Sequence, residues 1–190
     1  MWWPDKSLAP VLRRARGPAA ALLLAALAGG CFQPLYGERS PTGGPVLREQ
    51  LSAVDVLQIE APMGTDEARL AVEIRNALLF DFTGGGSSAP PTHRLKIAMS
   101  STRSSIIVDI NTSRPDIENY GINATYSLTE IASGKVVVTG QTFARVSYDI
   151  PGQQQRFARL RGLRDAESRA AKVIADNIMA RLASYFVAGT

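Results

Sequence analysis

Residues 54–82 read VDVLQIEAPMGTDEARLAVEIRNALLFDF, and this stretch decides the fold. Val54, Val56, Leu57 and Ile59 make a short strand that ends at Pro62. Gly64-Thr65 then supplies a capping hydroxyl, and Asp66 and Glu67 place two acids at the positive end of a helix dipole. Leu70, Ile74, Ala77 and Leu78 recur at helical spacing and give that helix one apolar face. The helix stops before Gly84-Gly85-Gly86, and Ser87 to Thr92 continues as a loop.

Downstream the period changes from helical to alternating. Leu95, Ile97 and Met99 alternate with polar residues, whereas Ile106, Val108 and Ile110 alternate in the opposite phase. One extra residue swaps the faces of a strand, so a bulge or kink is expected between Ser100 and Ser105. Ile122, Ala124, Tyr126 and Leu128 form the next run, and Ser133-Gly134 signals a hairpin into Val136, Val137 and Val138. That strand runs on through Phe143 and Val146 to about Tyr148. From about Arg156 to Tyr185 one long helix is expected, with Leu160, Leu163, Ala170, Ala171, Ile174, Ile178, Leu182 and Tyr185 on one stripe.

A strand–helix–strand step requires a crossover, so the first two strands should be parallel and the later ones antiparallel. The expected fold is α+β: a two-layer sandwich of a four-stranded mixed sheet with two helices on one face, in the order β-α-β-β-β-α. It would occupy residues 51–190 as a single domain, which suits a chain of 190 residues. With 45% apolar and 20% charged residues, wholesale disorder and a multispan membrane protein are both excluded. A single cysteine and a single histidine exclude a disulfide framework and a four-cysteine or histidine-rich metal site.

The first thirty residues read as an address. Lys6, Arg13, Arg14 and Arg16 precede an Ala/Leu run from Pro18 to Ala28, closed by Gly29, Gly30 and Cys31, which is the layout of a cleaved export signal. A dozen apolar residues reach less than about 20 Å as a helix, short of a hydrocarbon core of about 30 Å, so a permanent transmembrane helix is the weaker reading. Ala28-Gly29-Gly30-Cys31 is similar to a bacterial lipobox, with the preferred Leu one place early at Leu27. Lipidation of Cys31 also removes an exposed thiol from an oxidising compartment. The alternative is an ordinary cleaved signal with a nearby free cysteine. Phe32, not Asp, follows Cys31, which points to the periplasmic side of the outer membrane. Residues 31–50, rich in Pro and Gly, read as a tether. Loss of residues 1–30 takes away four basic side chains and one acidic one, so the high whole-chain pI is no argument for nucleic acid.

No catalytic constellation emerges. Gly84, Gly86 and Ala89 loosely fit a dinucleotide loop but follow a helix instead of a strand. No nucleophile elbow is present, and His93, the only imidazole, begins a strand as a solvated edge residue. No cofactor or metal is implied. The last helix carries Arg156, Arg159, Arg161, Arg164, Arg169, Lys172 and Arg181 against Asp165, Glu167 and Asp176. This is either a solvated face with pairs such as Asp165–Arg169 or a surface for an acidic partner or phosphorylated lipid. Lacking interleaved aromatics, it fits single-stranded nucleic acid poorly. Arg103, Arg114 and Lys135 lie near predicted strand ends and are expected to present charge at one tip of the sheet.

The segment CFQPLYG (Cys31 to Gly37), followed by this element order, resembles the LPS-assembly lipoprotein family LptE in its alphaproteobacterial form. The stretches IVDINTSRP (Ile107 to Pro115) and ARVSYDIPGQQQRFAR (Ala144 to Arg159) resemble it too. Members usually carry Gly directly after the lipidated cysteine, where this chain has Phe32. The resemblance implies a non-enzymatic outer-membrane lipoprotein, anchored through Cys31, that plugs the β-barrel LptD and assists insertion of lipopolysaccharide into the outer leaflet. On that reading Arg103, Arg114 and Lys135 contact lipid A phosphates or barrel carboxylates. The rival readings are a lipoprotein accessory of an ABC-type lipid transporter and a structural envelope lipoprotein.

Overall fold

The structure is a computed structural model, and it describes residues 47–109, 114–150 and 156–188, with backbone alone at 106–109, 114–116 and 156. The segment expected to be a signal peptide, Cys31 and most of the expected tether lie outside the described residues. Seven elements follow in order: α1 (Leu47–Ser52), β1 (Val54–Val56), α2 (Asp66–Thr83), β2 (His93–Asp109), β3 (Arg114–Glu130), β4 (Val136–Asp149) and α3 (Arg156–Ala188).

The sheet order is β1-β2-β3-β4, with β1 parallel to β2 and the other pairs antiparallel. The crossover through α2 therefore forms as expected. Thr65 caps α2 in an extended conformation, its Oγ1 accepting from the Ala68 N–H at 3.3 Å. At the other end Gly84 adopts φ 62°, a left-handed turn that costs a residue without Cβ little. Leu70, Ile74, Leu78 and Phe82 are buried at spacings of four along one face of α2.

One face of the sheet carries the core. Leu95 pairs with Leu128, Ile97 with Tyr126 and Met99 with Ala124 across β2 and β3, and Val138 and Ala144 continue the layer on β4. From α3, the small side chains Ala166, Ala170, Ala171, Ala175 and Ala183 let the helix approach closely, while Ile174, Ile178 and Leu182 fill the space. The outer face is exposed and mostly Ser, Thr, Asn and Gln, the alternation of a sheet packed on one side.

Three details depart from the sequence reading. The tether expected to reach Gln50 gives way to α1 at Leu47, because Leu47 and Leu51, one helical turn apart, are both buried in the core. β2 runs through Ser100–Ser105 without a break, and its register shifts come later, between Ser105 and Ile107 and between Ile107 and Val108. The opposite phases are thus reconciled at the far end of the hairpin. Finally, Leu160 is exposed, and the buried stripe of α3 begins further on, since the helix starts beyond the edge of the core.

Candidate functional site

The apolar layer stops partway along the long strands. Continuing the inward row of β2 past Met99 gives Ser101 and Arg103, and the matching row of β3 passes from Ile122 through Tyr120 to Glu118. Polar side chains need partners here, and apart from the buried Tyr120 hydroxyl and Glu167 Oε1 they find them in hydrogen bonds. Arg103, paired with Tyr120 across the strands, holds its guanidinium 5.8 Å from the centre of that ring. Its Nη2 donates to Asp66 Oδ2 at 2.8 Å and lies 3.5 Å from Glu167 Oε1. Arg69 of α2 donates to the other carboxylate oxygen of Glu167, and Ser101 Oγ donates to Glu67 at 2.6 Å.

Beyond this network a cleft of about 460 Å³ opens between the sheet and the first turns of α3, lined by Arg103, Glu118, Tyr148, Arg159, Leu160 and Leu163. Glu118 accepts hydrogen bonds from the Tyr148 hydroxyl and, at 3.3 Å, from Arg159 Nη2. Burial, reinforced by this hydrogen bond to Glu118, pushes the Tyr148 hydroxyl up to about 12. Burial likewise raises Glu167 against the opposing pull of Arg69. Burial also works against the charge of Arg103, but the Asp66 hydrogen bond and the charge of Glu167 carry its pKa above the usual value. Arg69, Arg103 and Arg159 therefore each face a carboxylate of the same chain. The arrangement can hold the open end of the sandwich in one shape and present an apolar floor (Tyr148, Leu160, Leu163) under polar walls.

The candidate residues do not gather at one tip. Arg103 lies within β2, and Arg114 opens β3 opposite Asp109 at the hairpin end. Lys135 sits in the β3–β4 turn at the opposite end of the sheet, beside the pair His93 and Glu130. The topology puts both turn residues at strand ends, but antiparallel neighbours turn at alternate ends. Cys31 lies outside the described residues. His93 is half-buried at the Lys135 end, its ring edge-on to Phe186 at 5.2 Å and its Nδ1 2.9 Å from Thr92 Oγ1; burial lowers its pKa against the charge of Glu130. Among the described residues no group of His, Cys, Asp and Glu is arranged to hold a metal.

The buried carboxylate was the feature that sequence reasoning missed. A signal was available, because Glu167 falls on the α3 stripe between Leu163 and Ala170–Ala171, and an acid on a buried stripe demands a cation opposite. The solvent-facing pair Asp165–Arg169 forms as expected, at 2.8 Å.

Three solved structures share the fold. A lipoprotein of Caulobacter crescentus CB15 is 20% identical, with a TM-score of 0.56 over 76% of this chain and 97% of that one. Rare lipoprotein B of Shewanella oneidensis is 14% identical, with a TM-score of 0.51 over 70% and 96%. Lipoprotein B of Nitrosomonas europaea is 13% identical, with a TM-score of 0.53 over 77% and 94%. No curated protein matches the chain. The family model of LptE, lipopolysaccharide-assembly, matches residues 54–182, from the first residue of β1 almost to the end of α3. Every element that builds the sandwich after α1 begins within that span, and the chain belongs to the LptE family of lipopolysaccharide-assembly proteins.

Proposed function

We propose that the protein is an outer-membrane lipoprotein, acylated at Cys31 and facing the periplasm, that partners and plugs the barrel LptD and assists insertion of lipopolysaccharide. The observation that carries this reading is the family match across residues 54–182. The lipobox-like Ala28-Gly29-Gly30-Cys31 supports the anchor. Work by binding, with no turnover, suits an end that is shaped by internal ion pairs and floored by apolar side chains. Contacts of Arg103, Arg114 and Lys135 with barrel carboxylates or lipid phosphates would then be made at two ends of the plug. Arg103 retains donors for this, because a guanidinium has five and only part of the fork is engaged.

The test is extraction of C-terminally tagged protein in mild detergent, with identification of what co-purifies in near-equal amount. A single large outer-membrane barrel supports the proposal. Recovery of inner-membrane transporter subunits, or of no stoichiometric partner, rejects the plug and favours the accessory or structural lipoprotein.

A further inference from the structure

The first turns of α3 project past the core and run against the usual chemistry of a helix start. Residues 157–161 are all exposed, and Phe157 has 85% of its surface in solvent and Leu160 56%. Phe157, Leu160, Arg161 and Arg164 follow one another at helical spacing, so they share one face. The first turn carries no acid, although the N-terminal end of a helix dipole is positive and favours carboxylates. Arginines crowded there oppose the dipole and one another.

The chain does not neutralise them. Among the described residues neither Arg161 nor Arg164 forms an ion pair. The charge of Arg164 reaches Glu167, but that carboxylate is bonded to Arg69 and flanked by Arg103. Asp165, the next residue of the helix, is held by Arg169 at 2.8 Å. Glu118 is held by Tyr148 and Arg159. Asp149 follows the inward-facing Tyr148 on β4, so its side chain belongs to the sheet face opposite α3.

Side chains whose placement is unfavourable in the lone chain, and unrewarded by packing, mark a surface completed from outside. What completes this one is anionic, because two guanidinium groups lack a carboxylate, and it offers a recess, because Phe157 stands almost wholly in water. Arginine and aromatic side chains together are the composition of protein interface centres: the aromatic fills a pocket, and the guanidinium fork binds a carboxylate through two parallel N–H donors. A sandwich held inside a barrel meets a wall of polar side chains, and a helix end standing clear of the core is well placed to reach it.

We propose that the face formed by Phe157, Leu160, Arg161 and Arg164 docks on an acidic stretch of the partner barrel's polypeptide, with both arginines paired to barrel carboxylates and Phe157 seated in an apolar recess beside them. This rests on the plug reading above and names a surface that the plug uses. Arg159 stays within the chain, where its pair with Glu118 holds the helix start against the sheet.

The experiment uses the full acylated protein, C-terminally tagged, in cells that make its native barrel. Arg161→Glu combined with Arg164→Glu should leave the melting temperature unchanged, because both side chains are exposed and outside any ion pair among the described residues. The same double variant should cut capture of the barrel about tenfold or more, because like charges across an interface repel. Benzoyl-phenylalanine in place of Phe157 should photo-crosslink to a barrel peptide that carries Asp or Glu, and reversing that acid to Lys should restore capture by the double variant. Capture undiminished by the double reversal overturns the docking face and leaves the plug standing. So does a loss of capture that no crosslinked acid rescues. Crosslinking of position 157 to lipopolysaccharide in place of polypeptide gives the face to a lipid and overturns the proposal. Failure of the native protein to capture any barrel rejects the plug and this face together.

Discussion

Glu167 of α3 is 1% exposed and accepts a hydrogen bond from Arg69 of α2, which ties the two helices together above the sheet. Arg103 from β2 lies 3.5 Å from the other carboxylate oxygen, close enough to pair but outside hydrogen-bond geometry. One buried anion thus joins three elements at the level where the apolar core ends. The cations are not equivalent to the anion, since Arg69 and Arg103 keep 39% and 47% of their side chains in solvent.

That asymmetry sets the order of two substitutions. Arg69→Ala leaves a desolvated carboxylate without its hydrogen bond and should cost about 3 kcal/mol. Glu167→Gln keeps the shape and leaves behind cations that water can reach, so it should cost about 1 kcal/mol. Urea unfolding of both variants checks the order. A larger loss for Glu167→Gln would show that the anion, not its partner, is the element the fold depends on.

The same pair carries a pH signature. Burial raises Glu167 above its ordinary value of 4.5, so the folded state binds more protons than the unfolded one just above that pH. Stability from this group therefore falls as pH rises from about 4.5 through the raised folded value. Glu67 has the opposite sign: its hydrogen bond from Ser101 lowers it, giving stability that is present above 4.5 and is lost as pH falls through the folded value. Going from pH 4 to pH 7, Glu167→Gln should gain on the native protein and Glu67→Gln should lose on it. Denaturant midpoints across that range would show parallel curves if neither group were perturbed.

Much of this architecture is legible in the chain, and what escapes has specific causes. Thr65, Asp66 and Gly84 mark the ends of α2 because capping chemistry is local. Alternation reveals β2, β3 and β4, and Ser133-Gly134 reveals their second hairpin, with Gly134 at φ 69°. Helix α1 escapes because its six residues lie in Pro- and Gly-rich surroundings and are stabilised by tertiary burial of Leu47 and Leu51. The bulge is misplaced because phase reversal shows only that a shift exists between two runs, not where strain is least. Arg103 reads as a strand-end cation because Asp66 and Glu167, its partners, are 37 and 64 residues away in sequence.

Helix α1 gives a direct test of where the domain begins. Leu51 is 1% exposed, and truncation of a buried leucine to alanine costs about 2–5 kcal/mol. Leu51→Ala should lower the urea midpoint accordingly, whereas a substitution in a solvated tether would leave it unchanged.

Tyr148 provides an optical reporter of the cleft. Of five tyrosines, it ionises at about 12, because burial and its hydrogen bond to Glu118 both disfavour the phenolate. Burial also raises Tyr120 and Tyr126, so absorbance at the phenolate band should show a late phase that shrinks by one tyrosine in Tyr148→Phe. By the same linkage, stability from this group is intact below about pH 10 and declines as pH rises toward 12.

The spread of the candidate cations makes their functional contributions separable. Lys135 lies in an exposed turn and its side chain is in solvent, so Lys135→Glu should leave the melting temperature within about 2 °C, the range expected of a surface change. Arg103→Glu is different in kind: it brings a third carboxylate against Asp66 and Glu167, and should lower stability by about 3 kcal/mol before any partner is considered. Loss of barrel capture in Arg103→Glu is therefore informative only beside Arg103→Met, which removes the charge without repulsion. With the two sites at different ends of the sheet and no shared partner, the effects of Lys135→Glu and Arg103→Met on capture should add within about 0.5 kcal/mol. Strong non-additivity in a co-purification titration would mean that one ligand spans both ends of the sandwich, and the two-ended contact would have to be abandoned.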